Sequence, residues 1–145
     1  MAFASTVDAA RETIRLSGGG SIEAVRITIA ATDVAAASEV AITWADEDAA
    51  RWLASASRLY LYELRAALTG GAGTTIATVL GTATNPTGLN VIASYSAGAV
   101  NSDASLLLSP PSFAPGSALY LRPTPDAGTD NAVSVQLLVS DVCPL

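Results

Sequence analysis

Asn131-Ala132-Val133-Ser134-Val135-Gln136-Leu137-Leu138-Val139-Ser140 decides the fold class. Val133, Val135, Leu137 and Val139 fall on one side of an extended chain, and Ser134, Gln136 and Ser140 on the other. Alternation with period two puts one face in a core and the other in water or at a contact. The same pattern recurs upstream. Val25, Ile27 and Ile29 alternate with Arg26 and Thr28, and Val40, Ile42 and Trp44 alternate with Ala41 and Thr43. Ile76 to Leu80, Leu89 to Tyr95, Ser105 to Leu108 and Leu119 to Arg122 also read as strands. Between them stand Gly70-Gly71, Asn85-Pro86-Thr87-Gly88, Ala97-Gly98, Pro110-Pro111, Pro115-Gly116 and the Pro123 to Gly128 stretch, all turn chemistry. Short strands with regular turns predict a mainly β fold, a β-sandwich or jelly-roll-like arrangement of about seven to nine strands.

Two segments resist that reading. Asp46 to Leu68 contains no Val, Ile or Thr, opens on Asp46-Glu47-Asp48, and repeats Arg at 51, 58 and 65. Acids at the start and Gly70 past the end suit a helix. Against it, Leu59-Tyr60-Leu61-Tyr62 alternates, and Thr69 to Thr74 resembles a hairpin loop. The expectation is one helix at most, near residues 46–57, with a strand from Arg58; a single helix through Leu68 is the alternative. At the N-terminus, Thr6 could cap a helix over Val7 to Leu16, while Thr13 to Leu16 alternates as a strand. Gly18-Gly19-Gly20 then breaks the chain. Residues 1–20 therefore read as an N-terminal arm or a first strand, and 21–145 as a single β-sandwich domain.

The 145 residues suit one domain. Half are hydrophobic, but many of these are Ala, so the expected core is built of small side chains. The chain has no His and no Lys, and Cys143 is its one cysteine. That excludes imidazole bases, Ser-His-Asp and Cys-His pairs, P-loop and Schiff-base lysines, internal disulfides and thiolate metal clusters. No enzyme is expected. Cys143 reads as a tail residue in a reducing compartment. Net charge −6 without a basic cluster argues against nucleic acid. No run suits a membrane span, and the opening residues lack a signal peptide's pattern, so synthesis in a host cytoplasm is expected.

Charge is unevenly spread. Residues 1–65 hold fifteen charged side chains, and residues 66–145 hold only Arg122, Asp103, Asp126, Asp130 and Asp141. Free soluble surfaces carry more charge than this, and interface cores carry less. Either the second half meets protein neighbours, or the Ala-rich composition has simply drifted.

No residue is assigned as catalytic or cofactor-binding, and no cofactor is expected. The Gly-rich turns lack the spacing and Lys of phosphate loops. Ser94-Tyr95-Ser96-Ala97-Gly98 is no nucleophile elbow, since position 92 is Ile. Asp46, Glu47 and Asp48 are too close in sequence to flank a sugar. Asp126, Asp130 and Asn131, around Gly128, offer hard oxygens of the kind Ca²⁺ takes. Their spacing does not match the calcium loop, the plainer reading is a turn held by local hydrogen bonds, and no metal is expected. Trp44, Trp52, Tyr60, Tyr62, Tyr95 and Tyr120 could stack on a sugar, or simply pack.

Met1, the absence of His and Lys, and the strand pattern together resemble accessory virion proteins of tailed bacteriophages, of the head decoration or cement type. That resemblance implies a homo-oligomer, with a trimer preferred, bound to the major capsid protein or another virion protein, and located in the virion. Leu59-Tyr60-Leu61-Tyr62 and Pro115-Gly116-Ser117-Ala118-Leu119-Tyr120-Leu121-Arg122 also resemble strand motifs of secreted bacterial C-terminal jelly-roll modules. That second likeness implies the alternative function, a carbohydrate- or substrate-binding β-sandwich module.

Overall fold

The computed structural model describes residues 3–15, 19–35, 38–42, 53, 56, 58–84, 91–98, 102–105, 111–114 and 118–142, the backbone alone for 93–98 and 102–105. Among them are ten strands: β1 (Ala4–Arg15), β2 (Ser21–Val34), β3 (Val40–Ile42), β4 (Leu59–Gly70), β5 (Thr75–Gly81), β6 (Val91–Gly98), β7 (Ser102–Ser105), β8 (Ser112–Phe113), β9 (Leu119–Pro125) and β10 (Asn131–Ser140). β8 is a two-residue pairing; the other nine match the upper end of the expected count. Six strands form one antiparallel sheet, ordered β1-β2-β10-β4-β7 with β8 beside β4. The other four form a second, ordered β3-β9-β5-β6. The fold is mainly β, two antiparallel sheets consistent with a β-sandwich, one of them curled as a half-barrel.

β10 is central, as its alternation requires. It lies between β2 and β4, and Val133, Val135, Leu137 and Val139 are all buried. They meet Ile27 and Ile29 of β2, Leu61 and Leu64 of β4, Ile76 and Leu80 of β5, and Leu119 and Leu121 of β9 in one core. Residues 59–70, contested between helix and strand, form β4. Its alternation slips at Tyr62, where a bulge against β10 sets Leu138 opposite Glu63 and Val139 opposite Leu61. Tyr62 shares the outer face with Tyr60 and joins Ala24 and Leu138 there in a small second cluster lined by Ile14, Ile22 and Tyr60, while the slip returns Leu64, Ala66 and Leu68 to the core.

Other boundaries shift. The pairing expected at Ser105 to Leu108 is made by Ser102–Ser105; residues 106–108 lie outside the described residues. So does the helix expected over 46–57, except that Leu53 is buried and Ala56 N–H donates to its carbonyl at 3.1 Å. At the N-terminus, residues 4–15 form a strand of the large sheet, paired with β2 over its whole length. Phe3, Val7 and Ala9 pack against the core.

β9 carries Pro123 and Pro125 inside a strand. β3 covers it only from Leu119 to Leu121. Beyond that, β9 is an edge that pairs only with β5 among the described residues, and an edge tolerates a missing N–H.

Candidate functional site

Asp126 and Asn131 stand where the chain crosses between the sheets. Asn131 is fully buried. Its Oδ1 accepts from the Gly73 N–H at 2.8 Å, in the β4–β5 crossover. Its Nδ2 donates to the Ala127 carbonyl at 2.9 Å, in the β9–β10 crossover, and to the Val34 carbonyl at 3.1 Å, where β2 leaves for β3. One amide thus ties three crossovers at one end of the sandwich. The fit is close: a Cβ on Gly71 would stand 2.6 Å from the Asn131 Cα, and Gly71 holds φ +98°.

Asp126 adds a second tie. Its Oδ2 accepts from the Thr74 hydroxyl at 2.7 Å, and its Oδ1 from the N–H groups of Thr74 and Thr75 at 2.7 and 3.1 Å. Those donors, the hydroxyl first, hold its carboxyl down to about 2. The bonds reach 51 and 52 residues back along the chain, so the turn is not held only locally, as the sequence suggested. Asp130 is exposed in the same turn. The three oxygen-bearing residues are close, but Asn131 spends its amide and Asp126 its carboxylate on the backbone and Thr74. Among the described residues, no group of three or more His, Cys, Asp or Glu gathers to hold a metal.

A second polar constellation lies on the outer face of the large sheet. The Arg26 guanidinium grips Glu12 through two bonds, 2.7 Å from Nε and 3.1 Å from Nη2. It also donates to Glu63 at 2.9 Å and reaches Gln136 at 3.5 Å. Arg65 meets Glu63 at 3.3 Å. The group spans β1, β2, β10 and β4, and is charge-balanced. The Arg26 bond holds the Glu12 carboxyl below its ordinary value against the opposing effect of burial, and the guanidinium is held protonated more firmly than usual by Glu12. Its two cations and two carboxylates match one another, and the group is a clasp between strands. It was not legible in the sequence, because its members are 14, 37 and 110 residues apart.

The aromatic candidates do not form one platform. Tyr62 is buried, and its hydroxyl donates to the Val142 carbonyl. Tyr60 borders the outer cluster of the large sheet, and Tyr120 stands on the outer face of the small one. Trp44, Trp52 and the Tyr95 side chain lie outside the described residues, as do Cys143 and Asp46, Glu47 and Asp48. A hollow of about 220 Å³ at the β1–β2 turn is lined by Thr13, Arg15, Gly19, Gly20 and Ser21.

The outer face of the small sheet is the remaining feature. Ala41, Thr75, Ala77, Val79, Tyr120, Arg122 and Thr124 alternate with buried residues. Arg122 is the one charged residue in any strand of that sheet. No helix of the described residues is long and apolar enough to cross a membrane. No protein-family model matches the chain, and no curated protein shows significant similarity to it.

Proposed function

We propose that this chain is a non-enzymatic structural protein that works by assembly, as a virion component decorating or cementing a tailed-phage capsid. The observation that carries the reading is the low charge of the four-stranded sheet's outer face. Small uncharged side chains lose little solvation when covered, so Ala77, Val79 and the threonines beside them suit a broad protein contact. The partners are other copies of the chain and the major capsid protein or another virion protein. The missing His and Lys, together with a polar constellation that is charge-balanced and closed on itself, support a role without catalysis.

The test adds purified protein to undecorated particles and measures occupancy. Ala77→Glu, at an exposed position, should cut occupancy while leaving the melting temperature unchanged. Equal occupancy would remove the small sheet from the interface. Binding to a glycan array with none to any particle would favour the carbohydrate-binding alternative.

A further inference from the structure

We propose that β1 is an assembly edge, where a second copy of the chain adds its own β1 antiparallel about a twofold axis through Ala9. The proposal rests on the self-assembly reading above and names the surface and its symmetry.

β1 ends the large sheet, and among the described residues nothing pairs with its outer side. Alternate residues of this twelve-residue strand therefore present a row of backbone N–H and C=O groups on the outer edge. Proteins blunt such edges with short strands, Pro, Lys, bulges or inward charges. β1 is long, has no Pro or Lys, and runs against β2 without a register shift from Ala4↔Thr32 to Arg15↔Ser21. Its one charge midway along the core-facing side, Arg11, is met by Glu23 of its own sheet at 3.4 Å. The two-bond grip of Arg26 on Glu12 pins the strand in place, so the ribbon is ordered before any partner arrives. Among the described residues, the opposite edge of the same sheet is unlike it, made of β7 and β8, four and two residues long.

That inequality selects the occupant. A neighbour's β7–β8 edge could pair with only half of β1, whereas a second β1 can pair with almost all of it. A twofold axis normal to the sheet keeps each face on its own side, so residues of like parity meet and the axis falls on a residue. Centring on Asp8, Arg11 or Glu12 sets that charge against itself. Centring on Ala10 sets Asp8 against Glu12. Centring on Val7 pairs only residues 4–10. Centring on Ala9 pairs residues 4–14 with no like charges directly opposite: Asp8 faces Ala10 of the second copy, Val7 faces Arg11, and Thr6 faces Glu12. Ala9 itself is small enough for close approach at the axis.

The test combines light scattering over a concentration series with oxidative cross-linking in a Cys143→Ser background. Wild type should form a dimer. Ala9→Cys should cross-link to itself, and Ala4→Cys should not, because its thiols would lie ten residues out of register. Ala10→Glu should raise the dissociation constant roughly tenfold, by setting two like-charge pairs against Asp8. Position 10 is exposed and faces Arg26 on its own sheet, so the monomer should keep its stability. Adding Asp8→Lys should restore the dimer. A monomer at every concentration, or a dimer indifferent to Ala10→Glu, overturns the edge. So does cross-linking at Ala4 equal to that at Ala9. A trimer without the Ala9 cross-link also overturns it, yet leaves self-assembly standing. Particle occupancy tests the broader reading independently of all these outcomes.

Discussion

The two sheets share one core and differ in the charge their strands carry. The strands of the large sheet carry ten charged residues: Asp8, Arg11, Glu12, Arg15, Glu23, Arg26, Asp33, Glu63, Arg65 and Asp103. Those of the small sheet carry Arg122 alone. Size does not account for the contrast, since the large sheet has roughly twice the strand residues. The charge asymmetry along the sequence therefore becomes, in three dimensions, an asymmetry between sheets. β10 blurs it: it comes from the charge-poor half yet sits in the large sheet, contributing Ser134, Gln136 and Leu138 to the face that Arg26 and Glu63 charge. The large sheet bridges its strands with ions, and the small one presents little that would cost solvation to cover.

The hardest blow to the shared core is Val135→Asp. The site is fully buried at the centre of the large sheet, and no cation faces it. An uncompensated charge there should cost more than about 4 kcal/mol and leave no cooperative melting transition. Near-wild-type melting would mean that β10 does not organise both sheets.

Asn131→Ala strikes the joint between the sheets. It removes one acceptor and two donated bonds, and strands the Gly73 N–H and the Val34 carbonyl. The expected loss is about 3 kcal/mol, read from urea denaturation. If the sheets are tied mainly by core packing, the loss will stay below about 1 kcal/mol.

Arg26→Met tests the ionic face alone. Glu63 is 17% exposed and would keep only Arg65 of its two cations, while Glu12 is 41% exposed and can rehydrate. Because water reaches part of the site, the cost should be about 1–2 kcal/mol. Hydrogen exchange should rise first in β1, which the Glu12 bonds fasten. Uniform exchange across the large sheet would show that the clasp does not hold the edge strand specifically.

The small sheet offers a gain instead. Thr78 is buried and its hydroxyl has no hydrogen-bond partner among the described residues. Thr78→Val keeps the shape and removes the stranded group, so stability should rise by about 1 kcal/mol, or about 3 °C in melting temperature. A fall would mean that the hydroxyl is satisfied in solution.

What was legible in the sequence follows from the range of the forces. Alternation is local, so the core faces of β2, β9 and β10 could be read directly. Leu138 could not, because its burial on the outer face depends on Tyr62 and Ala24, which come from other strands and meet it only once the sheet has formed. β4 was ambiguous because a bulge interrupts its alternation, and because Arg58 and Arg65 mimic helical spacing. Asp126 and Asn131 were recognisable as turn residues. Their partners were not, since Thr74 and Gly73 lie more than fifty residues back and meet them only once both crossovers have formed.

The smallest expected effect is also the most specific. Asp126 sits on the crossover from the small sheet to the large one, and its folded carboxyl is held at about 2 against an ordinary 3.8. A depressed folded value means the charged form is favoured by folding. Its contribution is complete above about pH 4 and is lost as the pH falls through that window towards 2. Asp126→Asn keeps an oxygen for the Thr74 and Thr75 N–H groups but removes the charge that strengthens all three bonds. The variant should therefore unfold at lower urea than wild type at pH 7, by a modest amount because the carboxylate is exposed. The two midpoints should converge near pH 2, where wild type is becoming neutral too. A gap that stays constant from pH 7 to pH 2 would show that geometry, and not charge, makes this tie. The joint would then resemble the uncharged small sheet more than the ionic large one.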